Sequence, residues 1–127
     1  LFEFLSNAIL LFDELEEGIA NFHIAFLLRL TKRLGFFPHF QEKNFTNFDL
    51  REGLFMKGRP NHPHYLNYKE TEMIAIFLTT TWEELNTIKI QGKERRILLA
   101  AIISYYTLHI PSFREPKSLS ILEEVFS

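Results

Sequence analysis

The sequence predicts an all-α, multihelical single domain, with about six helices around a buried central helix. The central helix is indicated by residues 97–108 (ILLAAIISYYTL), which carry no charge and present apolar groups on every face at helical spacing. Apolar residues recur at helical spacing on both sides of this segment. The length of 127 residues fits one domain, and a hydrophobic content of 46% is enough for a core.

The first two helices are predicted from their apolar spacing and from a stop signal. Residues 1–16 form the first helix, and Gly18 breaks or kinks the chain after it. The second helix runs from about Ala20 to Leu34, and Gly35 followed by Pro38 ends it. The apolar stripe predicted to face the core consists of Phe22, Phe26, Leu27, Leu30 and Leu34.

Helical spacing disappears in residues 36–68, which are predicted to form an irregular insert. Three of the five prolines and three of the five histidines fall in this segment. Residues 47–56 (NFDLREGLFM) contain two short apolar runs around Arg51, Glu52 and Gly53, a pattern that indicates a small β-hairpin. We expect turns or extended chain in residues 59–64 (RPNHPH), because proline disfavours the helical conformation of the residue before it.

The remaining helices follow the insert. Helical spacing returns at about Lys69, and Thr81 with Glu84 is predicted to form a capping box for a short helix. The central helix begins near Gly92 and ends by Pro111, and residues 118–126 form the last helix. The fully apolar part of the central helix is shorter than the ~20 residues that a bilayer requires. We therefore expect a buried core helix and no membrane span.

Composition and motifs exclude several functional classes. The absence of cysteine rules out disulfides, thiolate catalysis and cysteine-ligated metals. The net charge of −2 means that contact with nucleic acid requires a local basic patch. The sequence has no nucleophile elbow, no phosphate-binding glycine loop and no H-E-x-x-H motif. We therefore expect a protein without catalytic activity, cofactor or metal.

The candidate binding residues are six cations in two groups, which are Arg29, Lys32 and Arg33 in the second helix and Lys93, Arg95 and Arg96 in the central helix. The first group complements the helix dipole, whereas the second group opposes it. If the two helix ends meet, the six side chains form one patch that binds phosphates or an acidic peptide. Phenylalanines beside this patch would provide a groove for an acidic and hydrophobic peptide tail. A solvated surface explains the same cations equally well.

Two other functions use different features. A metal-dependent hydrolase would draw its ligands from the insert residues His39, His62, His64 and Asp49. However, H-P-H lacks the helical spacing that would preorganise two ligands, so exposed loop histidines are the simpler interpretation. A purely structural role, bracing an N-terminal module, is the third hypothesis. The remaining histidines, His23 and His109, have apolar helical neighbours and are predicted to lie in or beside the core with one bonded ring nitrogen.

Four segments of the sequence are distinctive together: residues 21–36 (NFH followed by FLLxLTKxLGF), 48–53 (FDLREG), 105–113 (YYxLHIPxF) and 117–126 (KSLxILxxVF). In the same order, they resemble segments of the C-terminal domain of the RecO family of DNA repair proteins, in its Bacteroidetes type. The resemblance extends over nearly the whole chain. Each segment consists mainly of packing residues, so the specificity comes from their order and spacing.

The resemblance implies a cytoplasmic, nucleoid-associated bacterial recombination mediator. Such proteins work with RecR, help load recombinase onto single-stranded DNA coated by single-strand-binding protein, and anneal strands. The sequence is already helical in pattern at Leu1, so we expect residues 1–127 to be a C-terminal domain separated from an N-terminal OB-fold, which is another candidate site for DNA contacts. The family often carries a four-cysteine zinc ribbon in the insert. Without cysteine, we expect packing of Phe45, Phe48 and Phe55 to replace the metal.

Overall fold

The computed structural model describes residues 17–110, which form three α-helices, one 3-10 helix and a four-stranded sheet. The prediction of an all-α domain with six helices is therefore wrong, and the fold mixes α and β structure. The predicted helices in residues 1–16 and 118–126 lie outside the described range. In chain order the elements are α1 (Glu17–Leu34), β1 (His39–Phe40), β2 (Asn47–Asp49), β3 (Leu54–Met56), β4 (Tyr65–Leu66), α2 (Tyr68–Thr79), the 3-10 helix (Trp82–Thr87) and α3 (Gly92–His109).

Helix α1 carries two stripes of apolar residues, and the core takes the one with the smaller side chains. The buried residues are Ala20, Asn21, Ile24, Ala25, Leu27, Leu28 and Thr31. Phe22, Phe26 and Leu34, which we predicted on the core side, are exposed. The predicted stop is confirmed, because Gly35 has a φ of 95° and its N–H, like that of Phe36, donates to Thr31 O at 2.9 Å.

The insert folds into a mixed sheet with strand order β1-β3-β2-β4. Strands β2 and β3 form the predicted antiparallel hairpin, β4 pairs antiparallel with β2, and β1 pairs parallel with β3. Asp49 shapes the hairpin turn, since its Oδ1 accepts from Arg51 N at 2.9 Å and from Glu52 N at 3.0 Å. Gly53 completes the turn with a φ of 70°, in the region that favours glycine.

A row of large apolar side chains runs across this sheet from one edge to the other. The register places Phe40, Phe55, Phe48 and Leu66 opposite one another on successive strands. The ring centroids of Phe55 lie 4.2 Å from Phe40, 4.6 Å from Phe48 and 5.0 Å from Phe45. The aromatic contacts that we expected in the insert are thus present, and they give these very short strands a common apolar face.

Two short elements connect the sheet to the central helix. Helix α2 begins with a capping box that we did not predict, in which Glu70 N donates to Asn67 Oδ1 at 2.8 Å and Asn67 N donates to Glu70 Oε1 at 3.2 Å. Thr81 takes the predicted N-cap position, but the element after it is a 3-10 helix and the Thr81 hydroxyl makes no capping bond. Asn21 anchors this segment to α1, since its Nδ2 donates to Leu85 O at 3.0 Å and to Ile88 O at 2.9 Å.

Helix α3 is the central helix of the described structure. Its buried residues are Arg95, Leu98, Leu99, Ala101, Ile102, Ile103, Tyr105 and Tyr106. It is not covered on every face, because Arg96, Ile97 and Ser104 are exposed. Tyr105 Oη donates to Phe36 O, and Tyr106 Oη donates to Leu27 O at 2.6 Å. Burial raises the pKa of both phenols well above the ordinary value, so each stays protonated and acts as a donor.

A membrane span is not found among the helices of residues 17–110: none is both long and apolar enough to cross a bilayer.

Candidate binding surface

The first group of predicted cations lies at the C-terminal end of α1. Arg29 is half-buried, and its Nη2 donates to Phe77 O at 3.4 Å and to Thr80 O, at the C-terminal end of α2. Phe77 lies in the last turn of α2 and Thr80 is its C-cap residue, at the helix end where a cation also complements the helix dipole. Lys32 and Arg33 are exposed. Arg29 thus has a structural role besides its charge, whereas Lys32 and Arg33 present theirs to solvent.

The second group lies at the start of α3, where Lys93 and Arg96 are exposed and Arg95 is buried. The Nε of Arg95 makes no hydrogen bond to any part of the chain that the structure describes. Glu94, between these cations, accepts from Gln91 N at 3.1 Å and lies 3.6 Å from Lys69 Nζ. The acid that interrupts the basic cluster therefore closes the first turn of α3 and joins it to α2.

Arg29 of the first group and Glu94, the acid within the second group, contact opposite ends of α2. Arg29 binds the carbonyl of Thr80, whereas Glu94 reaches Lys69 in the first turn. A rise of 1.5 Å per residue places Lys69 and Thr80 about 16 Å apart along the helix axis. The structure thus puts the six cations in two places, and their role in binding stays a prediction.

An exposed aromatic surface lies beside the first group. We call it the α1 aromatic face, and it consists of Ile19, Phe22, Phe26 and Trp82. Their exposed fractions are 45%, 49%, 36% and 44% respectively. The Phe22 ring centroid lies 5.2 Å from Trp82 and 6.4 Å from Phe26. Large exposed side chains in mutual contact are typical of interaction sites, and isolated exposed apolar residues are not.

Arg29 joins this aromatic face to the basic end of α1. Its guanidinium carbon lies 4.1 Å from the centroid of the Trp82 ring, within the range of a cation–π interaction. Positions 19, 22, 26, 29 and 33 share one side of α1 at helical spacing. The stripe therefore passes from three apolar residues to two arginines, which suits a ligand with an apolar part next to a negative one.

Sequence reasoning missed this face because it placed Phe22 and Phe26 in the core. The relevant signal was that α1 has apolar residues on two sides, more than one packing interface requires. The basic residues at positions 29 and 33, in line with the two phenylalanines, mark the side that faces solvent.

The insert histidines do not form a metal site in the part of the chain described. In residues 17–110 there is no group of three or more histidine, aspartate or glutamate side chains arranged to hold a metal ion. His62 Nε2 lies 3.0 Å from Asp49 Oδ1, and His62 Nδ1 accepts from His64 N at 3.1 Å. His62 therefore links the loop before β4 to the hairpin turn. His39 is exposed on the edge strand β1.

The other two histidines match their prediction. His23 Nδ1 lies 2.9 Å from Ile19 O, and His109 Nε2 lies 2.8 Å from Leu50 O. The His109 ring is also stacked on Phe36, with centroids 5.0 Å apart. Each residue thus has one ring nitrogen paired with a backbone carbonyl, and His109 ties the end of α3 to the sheet.

A shallow groove lies near the second group of cations, between α2, the segment before α3 and the first turn of α3. Its apolar lining consists of Met73, Ile76, Ile88 and Ile90, and its charged rim consists of Lys69, Glu72, Lys89 and Glu94. Because the rim has equal numbers of both signs, it shows no charge preference. The α1 aromatic face, with cations on one side, is the more specific candidate.

Residues 17–110 form a small mixed α/β domain that is organised around the central helix α3 and presents an aromatic and cationic face on α1. Residues 1–119 match the family described as recombination protein O, C terminal. The chain belongs to this RecO family. The resemblance seen in the sequence is confirmed.

Curated relatives agree with this assignment. The chain is 38% identical over 126 residues to the DNA repair protein RecO of Christiangramia forsetii, covering 99% of this chain and 52% of that protein. It is 39% identical over 127 residues to the protein of the same name from Flavobacterium psychrophilum, with 99% and 52% covered. For Phocaeicola vulgatus the identity is 32% over 128 residues, with 100% and 53% covered. The chain thus spans about half the length of these relatives. No solved structure gave a significant match.

Proposed function

We propose that this chain is a non-catalytic DNA repair and recombination mediator domain that acts in the bacterial cytoplasm at the nucleoid. Its family and the name shared by its relatives, DNA repair protein RecO, support this role. Its partners are single-strand-binding protein, RecR and single-stranded DNA, and its task is to help load recombinase and anneal strands. Because the chain spans about half of those relatives, the proposal concerns the contribution of this domain to the activity.

The α1 aromatic face is the surface that we assign to the acidic tail of single-strand-binding protein. The supporting observation is the stripe that passes from exposed Phe22 and Phe26 to Arg29 and Arg33. A large apolar side chain of the tail would lie against the rings, and its carboxylates would face the guanidinium groups. Arg29 is already held by two backbone carbonyls, so little of its freedom is lost when a carboxylate binds.

The experiment uses the only tryptophan of the chain, Trp82, which lies in the proposed surface. A synthetic acidic peptide with an apolar C-terminal residue is titrated into the purified chain, and the emission of Trp82 is followed. We expect a saturable change whose affinity falls as salt rises, because exposed charges are screened. An emission that does not change, confirmed by an absence of heat in calorimetry, would reject the assignment.

Variants locate the site. We expect Phe22→Ala and Arg33→Ala each to weaken peptide binding about fivefold or more, which is the usual threshold for an important interface residue. Ile76→Ala is the matched control, since Ile76 is 40% exposed but lies on α2 in the other groove. Equal losses for Ile76→Ala and Phe22→Ala would contradict the assignment. Unchanged affinity in both Phe22→Ala and Arg33→Ala would place the peptide site elsewhere on the chain, whereas a wild-type chain that binds no peptide would favour a purely structural domain.

The cations at the start of α3 are proposed as a secondary contact for DNA or for an acidic partner. Lys93 and Arg96 are the members that face solvent, while Arg95 is buried. The same titration with Lys93→Ala and Arg96→Ala tests this contribution. A loss of affinity in these variants, without a change in the melting temperature, is the expected result.

A further inference from the structure

The charges of the chain are distributed unevenly along the sequence. Positive charge is in excess in residues 29–64, the segment that contains strands β1, β2 and β3. Residues 29–64 hold seven of the 14 lysines and arginines and three of the 16 acidic residues, a net charge of +4. The other residues hold seven cations and 13 acids, a net charge of −6. A basic segment within an acidic chain is the kind of local patch that contact with phosphates requires.

Asp49, one of the three acids in this segment, is withdrawn from the surface and adds little negative charge to it. Asp49 is 4% exposed, and its carboxylate is held by two backbone N–H groups of the hairpin turn. The cations of the insert, by contrast, are all exposed: Lys43, Arg51, Lys57 and Arg59. Glu42 and Glu52 are exposed as well, so the outer surface of the insert carries four cations and two acids.

The parallel pairing of β1 with β3 gathers three of these cations at one end of the sheet. His39 is opposite Leu54 and Phe40 is opposite Phe55, so the two strands run in the same direction. Lys43 follows β1, while Lys57 and Arg59 follow β3. Because parallel strands end at the same side of a sheet, these three residues leave the sheet together.

Exposed aromatic rings lie between this end of the sheet and the basic end of α1. Phe37 is 41% exposed and Phe40 is 39% exposed. Lys32 Nζ lies 6.0 Å from the centroid of the Phe37 ring. At about 3.3 Å per residue, residues 37–43 span up to about 20 Å along the sheet edge. This edge therefore has Lys32 near one end and Lys43 near the other, with the accessible rings of Phe37 and Phe40 between them.

We propose that this edge, formed by Lys32, Phe37, Phe40, Lys43, Lys57 and Arg59, binds a single strand of nucleic acid. The cations would neutralise phosphates, and the Phe37 ring would stack on a base, which an unpaired base allows and a duplex does not. The inference rests on the proposed function, because it assigns residues to the single-stranded partner named there. It uses a surface different from the α1 aromatic face.

The experiment measures fluorescence anisotropy of labelled oligo(dT) and oligo(U) probes with the purified chain at several salt concentrations. For Lys43→Ala/Lys57→Ala/Arg59→Ala we expect weaker binding and a shallower slope of log K against log salt, by about 0.7 for each phosphate that is no longer neutralised. For Phe37→Ala we expect a loss of about tenfold with an unchanged slope, because stacking involves no counterion release. Lys69→Ala and Tyr68→Ala, which alter an exposed cation and an exposed ring on α2, serve as matched controls.

Three outcomes would overturn the inference: wild-type affinity in the triple variant, equal losses in the α2 controls, or a blunt duplex that binds as tightly as oligo(dT) and is insensitive to Phe37→Ala. Comparison of the two probes shows whether the site favours DNA or RNA. The Trp82 peptide titration is run on the same variants. Loss of oligonucleotide binding with intact peptide binding supports two separate surfaces. If Phe22→Ala loses peptide binding but still binds the oligonucleotide, the two surfaces can be tested independently, and failure of one proposal leaves the other standing.

Discussion

The contact between Gly53 and Tyr105 joins the hairpin turn to the central helix and can be tested by substitution. Gly53 has a φ of 70°, its N–H donates to Asp49 O at 2.8 Å, and its carbonyl accepts from His39 N at 2.8 Å. A Cβ at this position would lie 2.7 Å from Tyr105 Oη, a distance that real Cβ atoms do not show. Tyr105 cannot easily withdraw, because it is 2% exposed and its hydroxyl donates to Phe36 O.

Gly58 provides a matched reference for the same substitution. It also has a positive φ, 88°, but a Cβ there would meet nothing within 4 Å. Placing alanine in the left-handed region costs about 1–2 kcal/mol at either position. Overpacking against Tyr105 adds about 1–3 kcal/mol at Gly53 alone. We therefore expect Gly58→Ala to lower the free energy of unfolding by about 1–2 kcal/mol and Gly53→Ala by about 2–5 kcal/mol.

The assay is urea denaturation followed by circular dichroism, with Tyr105→Phe completing a double-mutant cycle. Tyr105→Phe alone removes one hydrogen bond and should cost about 0.5–1.5 kcal/mol. Without the hydroxyl, the nearest ring atom lies 3.7 Å from the added Cβ, an ordinary contact. The double variant should therefore be more stable than the sum of the single effects by about 1–3 kcal/mol. Additive effects, or a Gly53→Ala variant as stable as Gly58→Ala, would refute the reasoning.

Two further predictions concern the packing of the 3-10 helix and the effect of a chelator on stability. Asn21→Ala should lower the free energy of unfolding by about 2–4 kcal/mol, since it leaves the carbonyls of Leu85 and Ile88 without their buried donor. The capping variant Asn67→Ala should lower it by only about 1 kcal/mol in the same urea assay. Equal losses of stability in the two variants would contradict this ranking. Excess chelator should leave the melting temperature unchanged, because aromatic packing supports the sheet; a lower melting temperature that zinc restores would revive the hypothesis of a metal site.

The sequence failed to predict the sheet for a physical reason. The strands of residues 17–110 are two or three residues long, too short for alternating burial to be visible. Only the hairpin had a local signal, in the two apolar runs around Arg51 and Gly53. The pairing of β1 with β3 and of β4 with β2 joins residues distant in sequence, and no local pattern encodes such pairing.

Helix α1 shows the same difference between what a local sequence pattern predicts and what packing decides. Apolar spacing predicted the helix and its end at Leu34, but it placed Phe22 and Phe26 on the core side, and both are exposed. Packing of the 3-10 helix selected the side with Asn21, whose two hydrogen bonds hold that segment close. The aromatic side of Phe22 and Phe26 was left exposed, beside Trp82.

The sequence by itself determined the hairpin, the family and the approximate positions of the helices within residues 17–110, although α1 begins at Glu17 and includes Gly18, where a break or kink was predicted. These features depend on local spacing, capping and turn residues, which act over a few positions. Only the tertiary structure decided that the insert forms a sheet, that Arg29 and Arg95 are partly or wholly withdrawn from solvent, and that the aromatic side of α1 is exposed. Burial and long-range pairing are collective outcomes of packing, so they follow from how the elements meet and not from any single segment.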